Sequence, residues 1–311
     1  MGLSPFRFGV QLASAPGIRI WRDRAKAAED LGYATLWMPD HFDHQWGPLV
    51  GLTAAALATT TIRIGSLVFD NDYRHPAVLA KEMATLDIVS EGRVELGMGA
   101  GWMKSDYDEL GMAYDPPATR VDRLQEGVQV VKALWAEGKA DYEGAHYQLR
   151  QASNRPRPMQ RPRPPIMIAG GGKRVLGLAA READIVGFNM NLASGWVGPE
   201  AARSAVAQRF AERVAWVREA AGDRFDQLEL HCNTAFCMVG ADRLATAEAI
   251  APGFGITPEE ALEVPVALVG SVDEICASLE RRREEYGFSY WAVPGDAYEA
   301  FAPVVARLAG Q

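Results

Sequence analysis

An aspartate and a histidine stand side by side in this 311-residue chain, directly after a short apolar run. Residues 35–38 (Thr-Leu-Trp-Met) have the character of a buried strand, and Pro39 cannot donate the next hydrogen bond of a sheet. Asp40 and His41 therefore lie where a strand ends and a loop begins. Because the unperturbed pKa of histidine lies nearest to neutral, His41 is a candidate to give or take a proton. The alternative interpretation is a loop acid beside a surface histidine.

Two glycine-rich segments follow other apolar runs and are candidates to receive a ligand. Three glycines at 170–172 precede Lys173 at the start of a predicted helix, where backbone N–H groups can approach an anion. A second segment at 97–101 is followed by Trp102, and its small residues would let a flat ring lie against the end of a strand. In both cases a tight turn required only for packing is an equally good interpretation.

Three other polar or aromatic features lie near predicted strand ends. His44 and Asp43 could join His41 and Asp40 on a divalent metal, but no HxH or HExxH motif occurs, and we predict no metal site. Residues 70–76 form a polar loop, which could contact the polar tail of a ligand but is more simply interpreted as a solvated loop with a helix cap.

Tryptophan side chains can stack on a bound ring, because they present a large flat apolar surface. Trp46 and Trp102 both fall near predicted strand ends. We therefore expect them to line the pocket for a small-molecule substrate.

The composition excludes several classes of function. The net charge of −8 argues against a surface for nucleic acid or anionic membrane. The cysteines, at 232, 237 and 276, are odd in number and lack CxxC spacing, which indicates reduced thiols in a cytoplasmic protein. We find neither a signal-peptide pattern nor an apolar run that approaches ~18 residues, so we expect no membrane span.

Short apolar segments alternate with helical patterns along the whole chain. The predicted strands are residues 7–12, 35–38, 63–68, 94–98, 165–169, 184–189, a part of 228–239, and 290–293. This alternation predicts an α/β fold, a (β/α)8 TIM barrel in which residues 1–311 form a single domain. A doubly wound open sheet is the alternative, but no GxGxxG motif follows the first strand.

The barrel prediction strengthens the assignment of Asp40 and His41 to an active site, because barrel active sites lie at the carboxyl ends of the strands. Three segments interrupt the alternation, at about 102–117, 138–165 and 241–268. We expect these insertions at the same face of the barrel, and we expect the last two to shape the substrate pocket.

Six motifs occur in an order that resembles the bacterial luciferase-like monooxygenase superfamily. They are FGVQ at 8–11, AAEDLGY at 27–33, LWMPDHF at 36–42, RIGS at 63–66, RHPAVLAK at 74–81 and GRVELGMGAGW at 92–102. Within that superfamily the chain is most similar to the single-chain oxidoreductases that use the deazaflavin coenzyme F420.

The resemblance implies a barrel that holds the coenzyme ring in its mouth and transfers a hydride between F420 and a small organic substrate. His41 would then move the substrate proton, and Asp40 would orient His41 or bond the ring. A non-prolyl cis peptide bond is expected near Leu67–Val68, behind the ring. The cofactor-binding residues implied are Asp40, Leu67, Val68, Ala100, Gly101, Ala169, Gly170, Gly171 and Gly172.

One departure from the resemblance concerns the substrate. Trp102 stands where the sugar-phosphate dehydrogenases of the superfamily carry a glutamate, so their substrate is not implied here. Alternative functions are an FMN-dependent monooxygenase fed by a reductase, a flavin- or deazaflavin-binding protein without turnover, and a metal-dependent hydrolase. The compact chain favours F420 over FMN, and the family suggests a homodimer and allows a reductase partner.

The first prediction concerns His41. We expect His41→Ala to retain coenzyme binding and to lose ~10²–10⁴ in turnover, which is the usual contribution of general acid–base catalysis. Binding titration and steady-state kinetics measure the two effects separately. Unchanged turnover with the true substrate would contradict the assignment of His41.

Overall fold

The apolar segments form parallel strands that close into a barrel in the computed structural model, which describes residues 4–311. The strands are β1 (Arg7–Gln11), β2 (Thr35–Met38), β3 (Arg63–Ser66), β4 (Phe69–Asp70), β5 (Val94–Gly99), β6 (Ala140–Glu143), β7 (Gln148–Ala152), β8 (Ile166–Gly170), β9 (Ile185–Phe188), β10 (Glu229–Asn233), β11 (Phe236–Val239), β12 (Ala267–Gly270) and β13 (Tyr290–Pro294).

Helices follow most of the barrel strands and cover them on the outside. They are α1 (Ile18–Asp30), α2 (Pro48–Ala56), α3 (Pro76–Val89), α4 (Lys104–Leu110), α5 (Pro117–Trp135), α6 (Lys173–Glu182), α7 (Pro199–Arg203), α8 (Ala207–Ala221), α9 (Arg243–Phe254), α10 (Pro258–Leu262), α11 (Val272–Tyr286) and α12 (Tyr298–Leu308). None of the helices in the range 4–311 is long and apolar enough to cross a membrane.

The main sheet has the strand order β3-β2-β1-β13-β10-β9-β8-β5-β4, and a further pairing of β3 with β5 closes it. Without the short β4, this ring contains eight parallel strands, which confirms the predicted (β/α)8 barrel. The predicted third strand is shorter than expected and is followed by β4, and the segment 228–239 divides into β10 and β11.

The indole of Trp37 lies in the interior of the barrel, where it packs with Met167, Ile185 and Tyr290, and it has no exposed surface. Gly9 and Gly65 face this ring from the two neighbouring strands, and a Cβ atom at either position would overlap the indole. The glycines therefore serve the packing of one large side chain in the barrel interior.

A network of charged side chains closes the opposite end of the barrel, at the beginnings of the strands. Glu95 accepts hydrogen bonds from Arg7 (2.5 Å), Arg63 (2.6 Å) and the hydroxyl of Tyr290 (3.0 Å). Arg7 also pairs with Glu229 at 2.6 Å. Glu95 is almost completely buried, so these partners must compensate for the loss of its hydration.

The segment 138–165 differs from the expectation that it covers the mouth of the barrel. Its β6–β7 hairpin packs on the outside, where the hydroxyl of Tyr142 donates to Gln129 of α5 at 2.8 Å. The chain then descends along α3, and Gln160 donates to the carbonyl of Val94, the first residue of β5, at 2.8 Å. The segment thus runs down the flank to the end of the barrel that lies opposite the mouth.

Glu95→Ala tests the network at the closed end. We expect the free energy of unfolding to fall by about 3–5 kcal/mol, because two arginines lose a buried carboxylate partner. Chemical denaturation gives the measurement, and Arg209→Ala is a control in an exposed ion pair on α8, with an expected loss of about 0–1 kcal/mol. Equal losses of unfolding free energy in the two variants would contradict the proposed contribution of Glu95 to stability.

Candidate functional site

A cavity of about 370 Å³ opens at the carboxyl ends of the barrel strands. This volume lies within the range of small-ligand pockets. All the site residues predicted from the sequence line the cavity except Trp46. The barrel rule therefore brings together side chains that are far apart in the chain.

Trp46 is the residue that the structure does not bring to the cavity. Its ring packs against Trp21 of α1, with ring centroids 5.2 Å apart, and its backbone N–H donates to the carbonyl of Ala13 at 3.0 Å. The prediction that Trp46 lines the substrate pocket is therefore wrong. The prediction that residues 138–165 and 241–268 shape the pocket is also wrong, because none of the cavity-lining residues comes from either segment.

One wall of the cavity is formed by the chain between β3 and β4 and by the end of β5. The Leu67–Val68 peptide bond is cis, as the resemblance implied. Gly99 allows Val68 to approach, because a Cβ atom at position 99 would lie 2.5 Å from the Val68 side chain. Ala100 continues this wall, so the surface is apolar and free of long side chains, as a flat ring requires.

His41 is oriented by an aspartate that the sequence did not indicate. Its Nδ1 lies 2.8 Å from Oδ2 of Asp106, on α4, and the same carboxylate oxygen accepts a hydrogen bond from the hydroxyl of Tyr73 at 2.9 Å. With the carboxylate on Nδ1, neutral His41 carries its proton there and keeps the Nε2 lone pair free. The rings of Trp102 and His41 meet edge to face, with centroids 5.5 Å apart.

Asp40 has other partners, so the prediction that it orients His41 is wrong. Both of its oxygens accept hydrogen bonds from the guanidinium of Arg74, at 2.5 and 3.0 Å, and one also accepts from the backbone N–H of Asp70 at 3.0 Å. Burial alone would lower the pKa of Arg74, but the pairing with Asp40 raises it above its ordinary value. Asp40 therefore pairs with Arg74 through both of its oxygens at the rim of the cavity.

The loop at 70–76 is not the solvated loop that the sequence favoured. Asp70 is 6% exposed and Asn71 is 2% exposed, and Asp70 lines the cavity. The Asp70 carboxyl group faces the hydroxyl of Tyr107 at 3.0 Å and accepts the backbone N–H of Asp72 at 2.8 Å. Burial raises the pKa of Asp70 from its ordinary value to about 7, although these two hydrogen bonds oppose the change.

The glycines at 170–172 form a cradle at the opposite side of the cavity. A Cβ atom on Gly171 would overlap the backbone of Met190 and Asn191, so only glycine fits there. Gly172 is the N-cap of α6, whose ten residues direct their first free N–H groups and a partial positive charge toward the cradle. Nε of Arg213 holds the carbonyl of Gly171 at 2.9 Å.

Arg120, on α5, brings a buried positive charge to the same cavity. Its Nη1 donates to the carbonyl of Gly101 at 2.7 Å, and its guanidinium lies 4.0 Å from the ring centre of Tyr114. Its Nε is buried without a partner, and no carboxylate of the described chain pairs with it. Buried charges are normally paired, so Arg120 is suited to an anionic group of a ligand.

The comparisons with known proteins agree with this geometry. The family model for luciferase-like monooxygenases matches residues 1–287. The chain belongs to the luciferase-like monooxygenase family. A relative in that family is the F420-dependent glucose-6-phosphate dehydrogenase of Kineococcus radiotolerans, with 34% identity over 191 residues. That match covers 58% of this chain and 55% of the relative, so the chain spans about half the length of the curated relative.

Solved structures of other proteins share the barrel along nearly the whole chain. The coenzyme F420-dependent tetrahydromethanopterin reductase of Methanopyrus kandleri has a TM-score of 0.79 and 20% identity, covering 98% of this chain and 99% of that chain. The oxygenating constituent of 3,6-diketocamphane monooxygenase of Pseudomonas putida, in complex with FMN, has a TM-score of 0.71 and 18% identity, covering 99% and 98%. At these identities the likeness establishes the fold.

Asp106→Asn tests the orientation of His41. Without a carboxylate acceptor at Nδ1, we expect the Nδ1–H tautomer of neutral His41 to lose its predominance, as ¹⁵N–¹H NMR of the imidazole would show. Asp43→Asn is the matched control, because Asp43 is exposed and close in sequence, and none of the described hydrogen bonds joins it to His41. The same tautomer in wild type and Asp106→Asn would contradict the assignment.

Proposed function

We propose that this protein is an oxidoreductase that transfers a hydride between coenzyme F420 and a small organic substrate. The observation that carries the proposal is one cavity that is lined by His41, which Asp106 orients, by the glycine cradle and by Arg120. The relatives named as F420-dependent enzymes support the choice of coenzyme.

The residues present fit a coenzyme that has a flat ring and a phosphate. The cradle at Gly171 excludes a side chain, and Arg120 lines the cavity without a carboxylate partner among the described residues. Both features suit a phosphate group, which takes hydrogen bonds from backbone N–H groups and from arginine. The apolar wall of Leu67, Val68 and Ala100 suits the ring. When bound, the coenzyme supplies the carbon that accepts or gives the hydride.

The chain's own part in the reaction is to move a proton at His41. For an alcohol substrate, the C–H bond breaks with its electron pair leaving as hydride, and the hydroxyl proton passes to the free Nε2 of His41. Asp106 keeps the imidazole in the tautomer that can accept this proton and stabilises the imidazolium that forms. In the opposite direction, the same imidazolium returns the proton to the carbonyl oxygen as hydride arrives.

Trp102 favours a substrate other than a sugar phosphate. Its ring packs against His41, so an apolar surface bounds one side of the space next to the proton-transfer group. We propose that Trp102 contacts the apolar part of the substrate and helps to exclude water from it.

An FMN-dependent monooxygenase is the second candidate. The FMN complex of the 3,6-diketocamphane monooxygenase constituent shares the fold, and the cradle and Arg120 suit the phosphate of FMN equally well. This function would need a separate reductase as a partner. The homodimer and the reductase both stay predictions.

Titration of the protein with F420 and with FMN separates the two candidates. We expect the dissociation constant for F420 to be lower by at least about tenfold, which corresponds to about 1.4 kcal/mol. A screen of small alcohols and ketones, followed through the absorbance of the coenzyme, then tests hydride transfer. Tighter binding of FMN together with substrate-dependent oxygen consumption would overturn the proposal.

Arg120→Gln adds an internal control to the same titration. A charge-assisted hydrogen bond contributes about 1.5–3 kcal/mol, so F420 should bind about 10–100-fold more weakly, whereas a phosphate-free fragment that contains only the ring should bind equally well. Arg174→Gln is the matched variant, because Arg174 is an exposed cavity-rim arginine already paired with Asp122. Equal losses for F420 and the fragment would show that Arg120 acts on the fold instead.

A further inference from the structure

A second chain of hydrogen bonds begins at the cavity and does not include His41. Asp70 lines the cavity, and its Oδ2 lies 3.0 Å from the hydroxyl oxygen of Tyr107. The same hydroxyl lies 3.0 Å from Oδ2 of Asp72. A tyrosine hydroxyl has a single proton, so it can donate to only one of the two carboxyl groups at a time.

The charges around this chain determine where the proton belongs. Asp72 is paired with Arg123 at 2.8 Å, and Asp40 is paired with Arg74. Asp70 forms no ion pair with any side chain of the described chain, although it is nearly as buried as Asp40. The hydroxyl of Tyr107 can form hydrogen bonds with both carboxyl groups at once if Asp70 is protonated. Its O–H then donates to the oxygen of Tyr107, and Tyr107 donates to the charged Asp72.

We propose that Asp70 is a second proton-carrying group of the cavity, and that Tyr107 switches its hydroxyl between Asp72 and Asp70. When the O–H bond of Asp70 breaks, its proton forms a bond to a basic atom of the bound ligand. The hydroxyl of Tyr107 then turns from Asp72 to the new carboxylate, while Asp72 keeps its partner Arg123. This step moves one proton and no electrons. It differs from proton transfer at His41, which Asp106 and Tyr73 support.

The surroundings of Asp70 support a neutral carboxyl group. Burial is the largest cause that raises its pKa to about 7, and the charges of Asp72 and Asp40 add to the increase. Burial also raises the pKa of Tyr107 well above its ordinary value, so its hydroxyl keeps its proton. The charged and titratable groups that face Asp70 are Asp40, Asp72, Tyr73, Arg74 and Tyr107.

Infrared difference spectroscopy on the ligand-free protein tests the proposal. Between about pH 5 and about pH 9, we expect a carboxylic-acid C=O band that is lost with a midpoint near neutral and is missing from Asp70→Asn. Asp106→Asn should keep the band, because Asp106 belongs to the hydrogen-bond network of His41. Tyr107→Phe should keep its intensity at low pH but shift its frequency. A band that persists in Asp70→Asn, or the same frequency in Tyr107→Phe, would overturn the proposal.

The pH dependence of stability provides a second readout. The folded protein keeps a proton on Asp70 that the unfolded chain loses near the ordinary pKa of 3.8. Asp70 therefore contributes a loss of stability as the pH rises from about 4 to about 7, so the free energy of unfolding of the wild-type protein should fall relative to that of Asp70→Asn over this range. The same slope in both proteins would contradict the proposal. Neither measurement uses coenzyme or substrate, so a failure of the proposed hydride transfer would be recognised independently.

Discussion

Burial of charge at the rim of the barrel requires a partner for each charged group, and this requirement arranges the candidate site. Asp40 is compensated by Arg74, Asp72 by Arg123, and the imidazole of His41 by Asp106. Because the desolvation of a carboxylate or a guanidinium costs several kcal/mol, each of these pairs holds its loop in one position. The pairs thus fix the positions of the loops around the cavity.

Two groups break this pattern, and both line the cavity. Arg120 has no carboxylate partner and Asp70 forms no ion pair among the described residues. A buried charged group without an ion-pair partner can be compensated by a bound ligand of opposite charge, or it can become neutral by a change in protonation. For Arg120 the simplest solution is an anionic group of the coenzyme, and for Asp70 it is the acid form of the carboxyl group. The groups left uncompensated by the fold are therefore the ones that we assign to binding and proton transfer.

The short helix α4 connects the two proton-carrying groups. Its neighbouring residues Asp106 and Tyr107 contact His41 and Asp70, respectively. Tyr73 lies between them and donates to Asp106, and its ring centroid lies 5.8 Å from that of Tyr107. The segment 102–117 thus supplies partners to both groups, whereas the insertion at 138–165 lies on the flank of the barrel and contacts the rim loop through Tyr147, whose hydroxyl accepts a hydrogen bond from Asn71 at 3.0 Å.

The sequence by itself determined the strands, the barrel and most of the cavity wall, because these depend on local patterns. An apolar run that ends in Pro39, or in three glycines at 170–172, identifies the carboxyl end of a strand, and all such ends meet at one rim in a parallel barrel. The family motifs added the cis bond at Leu67–Val68. Position along a strand was therefore sufficient to bring His41 to the cavity.

Only the tertiary structure decided which side chains meet. Asp106 lies 65 positions from His41, and no spacing rule connects a residue on a short rim helix to a strand end so far away. Proximity in sequence also misled the interpretation, since Asp40 is next to His41 but pairs with Arg74, and Trp46 turns back onto Trp21. The reason is physical. A buried polar group takes the partner that the fold places within hydrogen-bond distance, and that partner is determined by packing rather than by neighbours in the chain.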